Sequence, residues 1–204
     1  MEPTEANQLA NDLMGSAHVL VAAILNIKNA VLADVAGKRL SFSQLKILKL
    51  VDFCGPQGVG EIAAFLCVTD AAASKSVDYL VRRRYLRRAV GKPDRRHSEL
   101  SLTAAGRKIL REYDASKDRV VGEALRQFDR DDVRQTVAFL DRLTGALVNG
   151  SARHEEICLQ CRIYLRQRCL IQDAARTDCQ YHRRRRSRET DPRQPLKAKT
   201  QTAR

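Results

Sequence analysis

The sequence predicts a mainly α-helical protein that carries one small two-stranded β-ribbon. Apolar residues recur at intervals of three and four through most of the first 150 residues, as they do in amphipathic helices. Capping residues and Gly or Pro breaks divide this pattern into separate helices. Residues 85–102 depart from it, with two short strand-like runs on either side of Gly91 and Pro93, which indicates a hairpin.

Length and charge narrow the possible functions. A chain of 204 residues suits one main domain with appendages. The formal net charge of +13 is concentrated in two segments: residues 82–96 hold eight basic side chains and one acidic, and residues 183–204 hold nine basic and two acidic. Because the rest of the chain is nearly neutral, these two segments indicate a polyanionic partner.

The N-terminal segment predicts a helix and a cytoplasmic protein. Its start is acidic and polar where a secretory signal would be basic, and the apolar stretch at residues 18–27 is far short of a membrane span. We therefore expect no membrane partner. The helix is apolar on more than one side, so it can pack on its own domain and on a second subunit; burial in the centre of a monomer is the alternative. Its apolar positions are Leu9, Leu13, Val19, Leu20, Val21, Ala23, Ile24, Ile27 and Val31.

Two helices with clear boundaries follow. Ser41 and Gln44 fit a capping box, in which each side chain accepts a hydrogen bond from the backbone N–H of the other residue. This helix runs to about Phe53, and the Gly-Pro-Gln-Gly sequence at residues 55–58 breaks it. The next helix covers residues 59–66 and ends at a short turn.

The helix after that turn has the features of a DNA-recognition helix. Thr69 is its N-cap, it extends to Arg84, and Ala73, Val77 and Leu80 point inward. The N-terminal half of its outer face is small and polar, which suits entry into a major groove, where donors must reach base edges and phosphates. An ordinary amphipathic surface helix is the alternative. The outward residues are Asp70, Ala71, Ser74, Lys75, Asp78 and Tyr79.

The β-ribbon supplies a second candidate contact with nucleic acid. Residues 86–90 form one strand and residues 99–102 the other, joined by a loop that carries Lys92, Arg95 and Arg96. An arginine at the tip of such a hairpin can enter a narrow minor groove, where the negative potential is greatest. A solvated run of charge is the alternative, but the helix pair before the ribbon favours the groove contact.

Six motifs occur in register between residues 40 and 110. They are Leu40-Ser41-x-x-Gln44-x-x-Ile47-Leu48, Glu61-Ile62-Ala63-x-x-Leu66-x-Val68, Ser74-Lys75-x-Val77-Asp78-x-Leu80, Leu86-x-Arg88, Asp94-Arg95-Arg96 and Leu100-x-Leu102-Thr103-x-Ala105-Gly106. With these motifs the chain resembles the multiple-antibiotic-resistance repressor (MarR) family of winged-helix DNA-binding regulators. The last two motifs are the most specific, and the flanking helices match in length and pattern only. One departure is Arg84, where the family usually has a Gly in a left-handed conformation.

The resemblance implies a winged helix-turn-helix protein dimerised through its N- and C-terminal helices. The two recognition helices of the homodimer would enter successive major grooves of a pseudo-palindromic operator in double-stranded DNA. Base and phosphate contacts map onto residues 69–75, and the minor-groove contact maps onto Arg95. The implied organisation is an N-terminal dimerisation helix at residues 1–37, a DNA-binding domain at residues 38–106 and C-terminal dimerisation helices at residues 107–150.

Caps predict where the C-terminal helices begin. Thr103 starts one helix, a break follows near Asp129, and Asp131 and Asp132 suit the start of the next, which extends to Asn149. Apolar candidates along the two helices are Ile109, Leu110, Val120, Ala124, Leu125, Phe128, Val133, Val137, Leu140 and Leu147.

Residues 151–182 lie outside the resemblance and are rich in cysteine. Thiolates are soft ligands suited to iron–sulfur clusters or zinc. On one straight helix Cys161 and Cys169 would lie about 12 Å apart, at roughly 1.5 Å per residue, so a shared site requires the chain to fold back between them. We predict an iron–sulfur cluster; zinc is one alternative, and metal-free redox or inert thiols are another. The candidate ligands are Cys158, Cys161, Cys169 and Cys179, with His154 or His182 as substitutes.

The remaining segments carry weaker signals. Cys54 and Cys67 are expected to be small buried hydrophobic residues. Residues 183–204 predict a disordered basic tail that either adds non-specific phosphate contacts or keeps the chain soluble.

These features predict a bacterial, sequence-specific transcriptional regulator that acts as a homodimeric repressor and responds to the state of its C-terminal cysteines. The alternatives are a non-specific nucleoid-type DNA binder and a winged-helix protein-interaction module. An enzyme is not expected, because the sequence contains no phosphate-cradling Gly-rich loop, no Gly-x-Ser-x-Gly elbow and no His-Glu-x-x-His motif. No residue pattern identifies a small-molecule effector.

Overall fold

The computed structural model describes residues 3–90 and 98–149, and in these residues six α-helices surround one β-ribbon. The prediction of a mainly α-helical winged helix-turn-helix with a small β wing is confirmed. In chain order the elements are α1 (Pro3–Ala36), a 3-10 turn (Gly37–Arg39), α2 (Phe42–Cys54), α3 (Val59–Leu66), α4 (Asp70–Arg82), β1 (Leu86–Val90), β2 (Ser98–Leu102), α5 (Ala104–Leu125) and α6 (Arg130–Asn149).

The predicted caps begin the helices as expected. The Ser41 hydroxyl accepts from the Gln44 backbone N–H (3.2 Å), and the Gln44 side chain accepts from the Ser41 N–H (2.9 Å), so the capping box is present. Thr69 accepts from the Ala72 N–H at the start of α4. These caps satisfy backbone donors that have no partner inside the helix, and they explain why the predicted starts agree with the structure.

Both helices of the helix-turn-helix end on a left-handed residue that is not glycine. At the end of α4, Arg84 has φ 59°, the Tyr85 N–H donates to the Leu80 carbonyl and the Arg84 N–H donates to the Val81 carbonyl, which is a Schellman motif. The prediction that this helix runs to Arg84 is therefore wrong by two residues. At the end of α3, Cys67 has φ 55°. It is exposed, so the prediction that it is a buried hydrophobic residue is also wrong.

The β-ribbon is anchored by a third backbone segment. β1 and β2 pair antiparallel, with Leu86 opposite Leu102. Gln57, in the break between α2 and α3, forms a bridge with Leu100: its N–H donates to the Leu100 carbonyl (3.1 Å) and its carbonyl accepts from the Leu100 N–H (2.8 Å). The Gln57 side-chain amide donates to the Pro56 carbonyl (2.7 Å), which satisfies a buried polar group. The ribbon is thereby fixed to the helical core.

The core lies among α2, α3, α4 and the ribbon. Ala73, Val77 and Leu80, the predicted inward positions of α4, are all fully buried. Leu45, Ile47 and Leu48 of α2, Ile62 of α3 and Leu100 of β2 are fully buried with them. α1 joins this core through its C-terminal part, at Val31, Leu32 and Ala36, and α5 joins it through Leu110 and Tyr113.

The N-terminal helix is longer and more apolar than the sequence suggested. α1 spans 34 residues and contains an 18-residue window that is long and apolar enough to cross a membrane, judged by length and composition. The expectation that this region is far short of a membrane span was wrong in that respect. Only 17% of the window is buried within the chain, so most of its apolar surface has no cover from the described residues of the same molecule.

Candidate nucleic-acid interface

Helix α4, the predicted recognition helix, is packed against the core on one side and open on the other. Its buried stripe, Ala73, Val77 and Leu80, packs against the core, and α3 lies alongside it. The N-terminal part of the opposite face is exposed. Thr69, Asp70, Ala71 and Lys75 are exposed, and Ser74 is half-buried. Because its side chains are small and polar, this face can approach a groove floor closely, and the buried stripe fixes which residues it presents.

The N-terminus of α4 combines a favourable and an unfavourable charge for binding a polyanion. The first backbone N–H groups of a helix and the positive end of its dipole attract phosphates. The Thr69 hydroxyl occupies one of these donors by accepting from Ala72. The Asp70 carboxylate in the first turn adds a negative charge. Lys75, one turn further on and exposed, supplies the compensating positive charge on this face.

An ion pair joins α4 to the wing. The Arg88 guanidinium on β1 contacts the Asp78 carboxylate on α4 at 2.5 Å. Both side chains are substantially exposed, so the pair adds little to stability. Its effect is electrostatic and geometric: it neutralises a carboxylate that would otherwise face a polyanion, and it ties the base of the wing to the recognition helix.

Tyr79 is more internal than the sequence suggested. Its ring is half-buried and packs against the core, and its hydroxyl donates to the Arg39 backbone carbonyl at 2.5 Å. The Arg83 guanidinium lies 5.4 Å from the centre of the same ring, in a cation–π contact. The hydroxyl thus has a partner within the chain, and a contact between Tyr79 and DNA stays a prediction.

The base of the wing is seated closely on α5. The Thr103 hydroxyl donates to the Arg84 carbonyl (2.6 Å) and accepts from the Gly106 N–H (3.1 Å). A Cβ atom on Gly106 would lie 2.3 Å from the Tyr85 carbonyl oxygen, so only glycine fits there. The direction in which the ribbon leaves the domain is therefore set by this contact. The predicted wing-tip residues Lys92, Arg95 and Arg96 lie outside the described residues.

The predicted metal ligands cannot be placed in this site. Cys158, Cys161, Cys169 and Cys179, and the alternatives His154 and His182, fall in the part of the chain beyond residue 149 that the structure does not describe. Among residues 3–90 and 98–149, no group of three or more His, Cys, Asp or Glu is placed to hold a metal ion. The iron–sulfur cluster and its zinc alternative stay predictions.

Comparison with known proteins supports the fold. The uncharacterized HTH-type transcriptional regulator YpoP of Bacillus subtilis (strain 168) is 31% identical over 84 residues, which are 41% of this chain and 60% of that protein. The match therefore spans less than two thirds of this relative. No protein-family model matches the chain.

Solved structures show the same architecture over a larger part of the chain. The YusO protein from Bacillus subtilis has a TM-score of 0.57 and 25% identity, covering 69% of this chain and 98% of that one. A MarR family protein from Bacillus stearothermophilus has a TM-score of 0.61 and 16% identity, covering 69% of this chain and 96% of that one. At 16% identity, the likeness to the Bacillus stearothermophilus protein shows only a shared fold, the winged helix-turn-helix of MarR-family structures.

Proposed function

We propose that this protein is a DNA-binding transcriptional regulator of the MarR type, located in the cytoplasm. The observation that carries the proposal is the presentation of α4: its apolar stripe is fully buried, and its small polar face is left open beside a basic ribbon. Similarity to an HTH-type transcriptional regulator and to winged-helix structures supports it. Binding and regulation need no catalysis, which is consistent with the expectation of a non-enzyme.

The proposed mechanism assigns separate tasks to α4 and the wing. Residues at the N-terminal part of α4, including the N-cap Thr69, the half-buried Ser74 and the exposed Lys75, read the major groove, and the wing-tip Arg95 anchors the protein in the minor groove. The Asp78–Arg88 pair neutralises a carboxylate on α4 and joins the base of the wing to that helix. Repression follows if the bound protein excludes other proteins from the operator.

Substitutions on α4 test this assignment. Lys75→Ala should weaken binding to a selected operator by about 1–3 kcal/mol if the lysine contacts a base, or lower the salt slope by about one if it contacts a phosphate. Arg134→Ala is the matched control, because Arg134 is an exposed cation on α6 that pairs with Asp131. Selection from a random DNA pool followed by binding at several salt concentrations measures both quantities. Failure to enrich any sequence would favour the non-specific nucleoid-type binder instead.

A homodimer is part of the proposal, since three helices carry apolar faces that the described residues of the chain leave exposed. Exposed side chains include Val19 (68%) on α1, Val121 (39%) on α5 and Leu147 (63%) on α6. Monomeric proteins rarely leave such surface uncovered over several adjacent turns. If a second copy covers any six of these aliphatic side chains, each about half-exposed, their burial contributes on the order of 5–9 kcal/mol per protomer before association costs. A second copy would also place two α4 helices for half-sites about 34–36 Å apart.

The dimer is tested by introducing a charge into the apolar surface. Val19→Glu should raise the dimer dissociation constant by at least tenfold, because a carboxylate in an apolar interface loses its hydration. Val68→Glu is the matched control, because Val68 is also an exposed valine but lies in the turn between α3 and α4, away from the proposed dimerisation helices. Sedimentation velocity over a concentration series reports both. A monomeric wild type, or equal behaviour of the two variants, would contradict this arrangement.

We propose further that the C-terminal cysteines make DNA binding responsive to redox state or metal. The donor chemistry supports this, since four thiols and two imidazoles fall within residues 151–182. Anaerobic purification followed by visible spectroscopy and metal analysis distinguishes the alternatives. A brown protein with about four irons per chain supports the cluster, and stoichiometric zinc supports its rival. A colourless, metal-free protein with unchanged operator affinity after oxidation would contradict both forms of the response.

A further inference from the structure

The hydroxyl of Tyr79 connects two parts of the molecule that are far apart in sequence. Tyr79 lies on α4, and its partner, the Arg39 carbonyl, ends the 3-10 turn that follows α1. Forty residues separate the two groups along the chain. The hydrogen bond of 2.5 Å therefore links the recognition helix directly to the junction between α1 and α2.

The acceptor end of this link follows the position of α1. Val31, Leu32 and Ala36, near the C-terminus of α1, are buried in the core. The turn begins directly after α1, at Gly37, whose φ of 58° ends the helical geometry, and the turn ends at Arg39. Because only three residues separate the last helical residue of α1 from Leu40, the turn that carries the Arg39 carbonyl is short and joins the end of α1 directly to the start of α2.

The donor end is fixed to the recognition helix. The Tyr79 ring packs against the core, one position before the fully buried Leu80, and Arg83 covers its face. A phenol carries only two side-chain torsions, and the core contact restrains both. Tyr79 thus behaves as a short rigid strut, with one end in α4 and the other at the end of α1.

We propose that Tyr79 is a positioning residue: its hydroxyl couples the seating of α4 to the end of α1 and does not read a base. The proposal rests on the proposed DNA-binding function and names the contact through which a change at the dimerisation helices reaches the recognition helix. Loss of the bond loosens α4 without altering which side chains face the groove. Affinity for the operator falls, while the preferred sequence stays the same.

Tyr79→Phe tests this, because it removes the hydroxyl and keeps the ring and its contact with Arg83. Binding to the selected operator should weaken, with about tenfold as the upper bound set by the full value of one lost hydrogen bond. The sequence enriched from a random DNA pool and the salt slope should not change. Relaxed preference at one base pair would assign Tyr79 to base reading, and an equal loss on operator and random DNA would assign it to phosphate contact; either result overturns the proposal.

A double-mutant cycle tests the coupling to α1. Gly37→Ala forces a side chain into a positive-φ position where space is available, so it should shift the turn without a steric clash. We expect Gly37→Ala to weaken operator binding in the wild type and to have no further effect in Tyr79→Phe. Additive losses would show that the two sites act independently and would refute the strut. Gly58→Ala, in a different turn with no neighbouring atom within 4 Å, is the control.

Amide hydrogen exchange on the free protein separates this proposal from the proposed function. Tyr79→Phe should increase exchange in residues 40–45 and 70–82 together, whether or not the protein selects an operator. If exchange rises in this way while no DNA sequence is enriched, the positioning role of Tyr79 is supported and the DNA-binding function is refuted. If exchange is unchanged in both segments, the strut is refuted even when operator binding by the wild type is confirmed.

Discussion

At the end of α4, glycine should be more stabilising than alanine at position 84 and less stabilising than alanine at position 83. Arg84 has φ 59°, and a Cβ atom in this left-handed conformation costs about 1–2 kcal/mol, which glycine avoids. Glycine also increases the backbone entropy of the unfolded chain, which offsets about 0.4–1 kcal/mol of that gain. We therefore expect Arg84→Gly to be more stable than Arg84→Ala by about 1 kcal/mol.

The neighbouring residue provides the matched control. Arg83 has φ −78° and ψ 0°, so a Cβ atom there carries no such cost. Only the unfolded-state effect remains, and Arg83→Ala should be more stable than Arg83→Gly by about 0.4–1 kcal/mol. Comparing Gly with Ala at one position cancels the loss of the arginine itself. This cancellation matters because Arg83 contacts the Tyr79 ring and Arg84 adds positive charge at the C-terminal end of a helix.

Equilibrium unfolding in urea measures the four variants. Protein concentration must be the same throughout, because association with a second copy would stabilise the folded state by mass action. Equal slopes against denaturant are required for the free energies to be compared. Arg84→Ala at least as stable as Arg84→Gly would refute the assignment of a left-handed conformation. Cys67, with φ 55°, should behave like Arg84.

Two further predictions concern packing and charge. Gly106→Ala should destabilise the fold by about 1–3 kcal/mol or more, because its Cβ would meet the Tyr85 carbonyl oxygen at 2.3 Å; thermal or urea unfolding checks this, and Gly122→Ala on the same helix, with no atom within 4 Å, should instead be neutral or stabilising. Burial, and secondarily the charge of Lys117, lower the pKa of Lys28 below 10.5 in the folded protein. Between that lowered pKa and 10.5 the unfolded state binds more protons than the folded state, so the free energy of unfolding should rise as the pH increases over this range. Lys28→Met removes the titrating group, and urea unfolding across this pH range should show a smaller rise; an unchanged rise would contradict the cause given.

Features encoded within a few residues could be predicted from the sequence. The Ser41–Gln44 capping box and the Thr69 and Thr103 caps each join groups three residues apart, so the side chain that starts the helix is visible next to it. The inward stripe of α4 follows from helical spacing in the same way. The fold class follows from such local signals, because their order along the chain leaves few possible architectures.

The end of α4 and the distant pairings could not be predicted by the same reasoning. The usual sign of a Schellman motif is glycine, and because Arg84 occupies the left-handed position, helical spacing alone extended α4 two residues too far. The bridge between Gln57 and Leu100 joins residues 43 positions apart, in a segment that local signals describe only as a break. The partner of Tyr79 could not be predicted for the same reason. Helical spacing placed Tyr79 on the outer face, and only the position of the α1–α2 junction shows that its hydroxyl donates to the Arg39 carbonyl.

Burial along the C-terminal helices also depends on information outside local spacing. Leu110 is buried as expected, but Val120, Leu125 and Phe128 are exposed, and the buried Tyr113 was not among the apolar candidates. A periodic pattern identifies which residues share a face of a helix. It does not identify what covers that face, because the cover can be another helix of the chain or a second molecule.

The apolar faces of α1 and α6 that the described residues leave exposed fit our proposal of a second copy of the chain better than a lipid bilayer. A bilayer could accept the apolar window of α1, which passes by length and composition. It would accept α6 poorly, because the exposed Val137, Phe139 and Leu140 lie between Arg134 and Asp141, charged residues whose transfer into hydrocarbon is costly. The proposed second copy would cover both helices at once and leave their charged residues at a hydrated rim. The surface proposed to pair the two copies would then be continuous with the buried C-terminal end of α1, which leads into the Arg39 carbonyl that accepts from Tyr79 of α4.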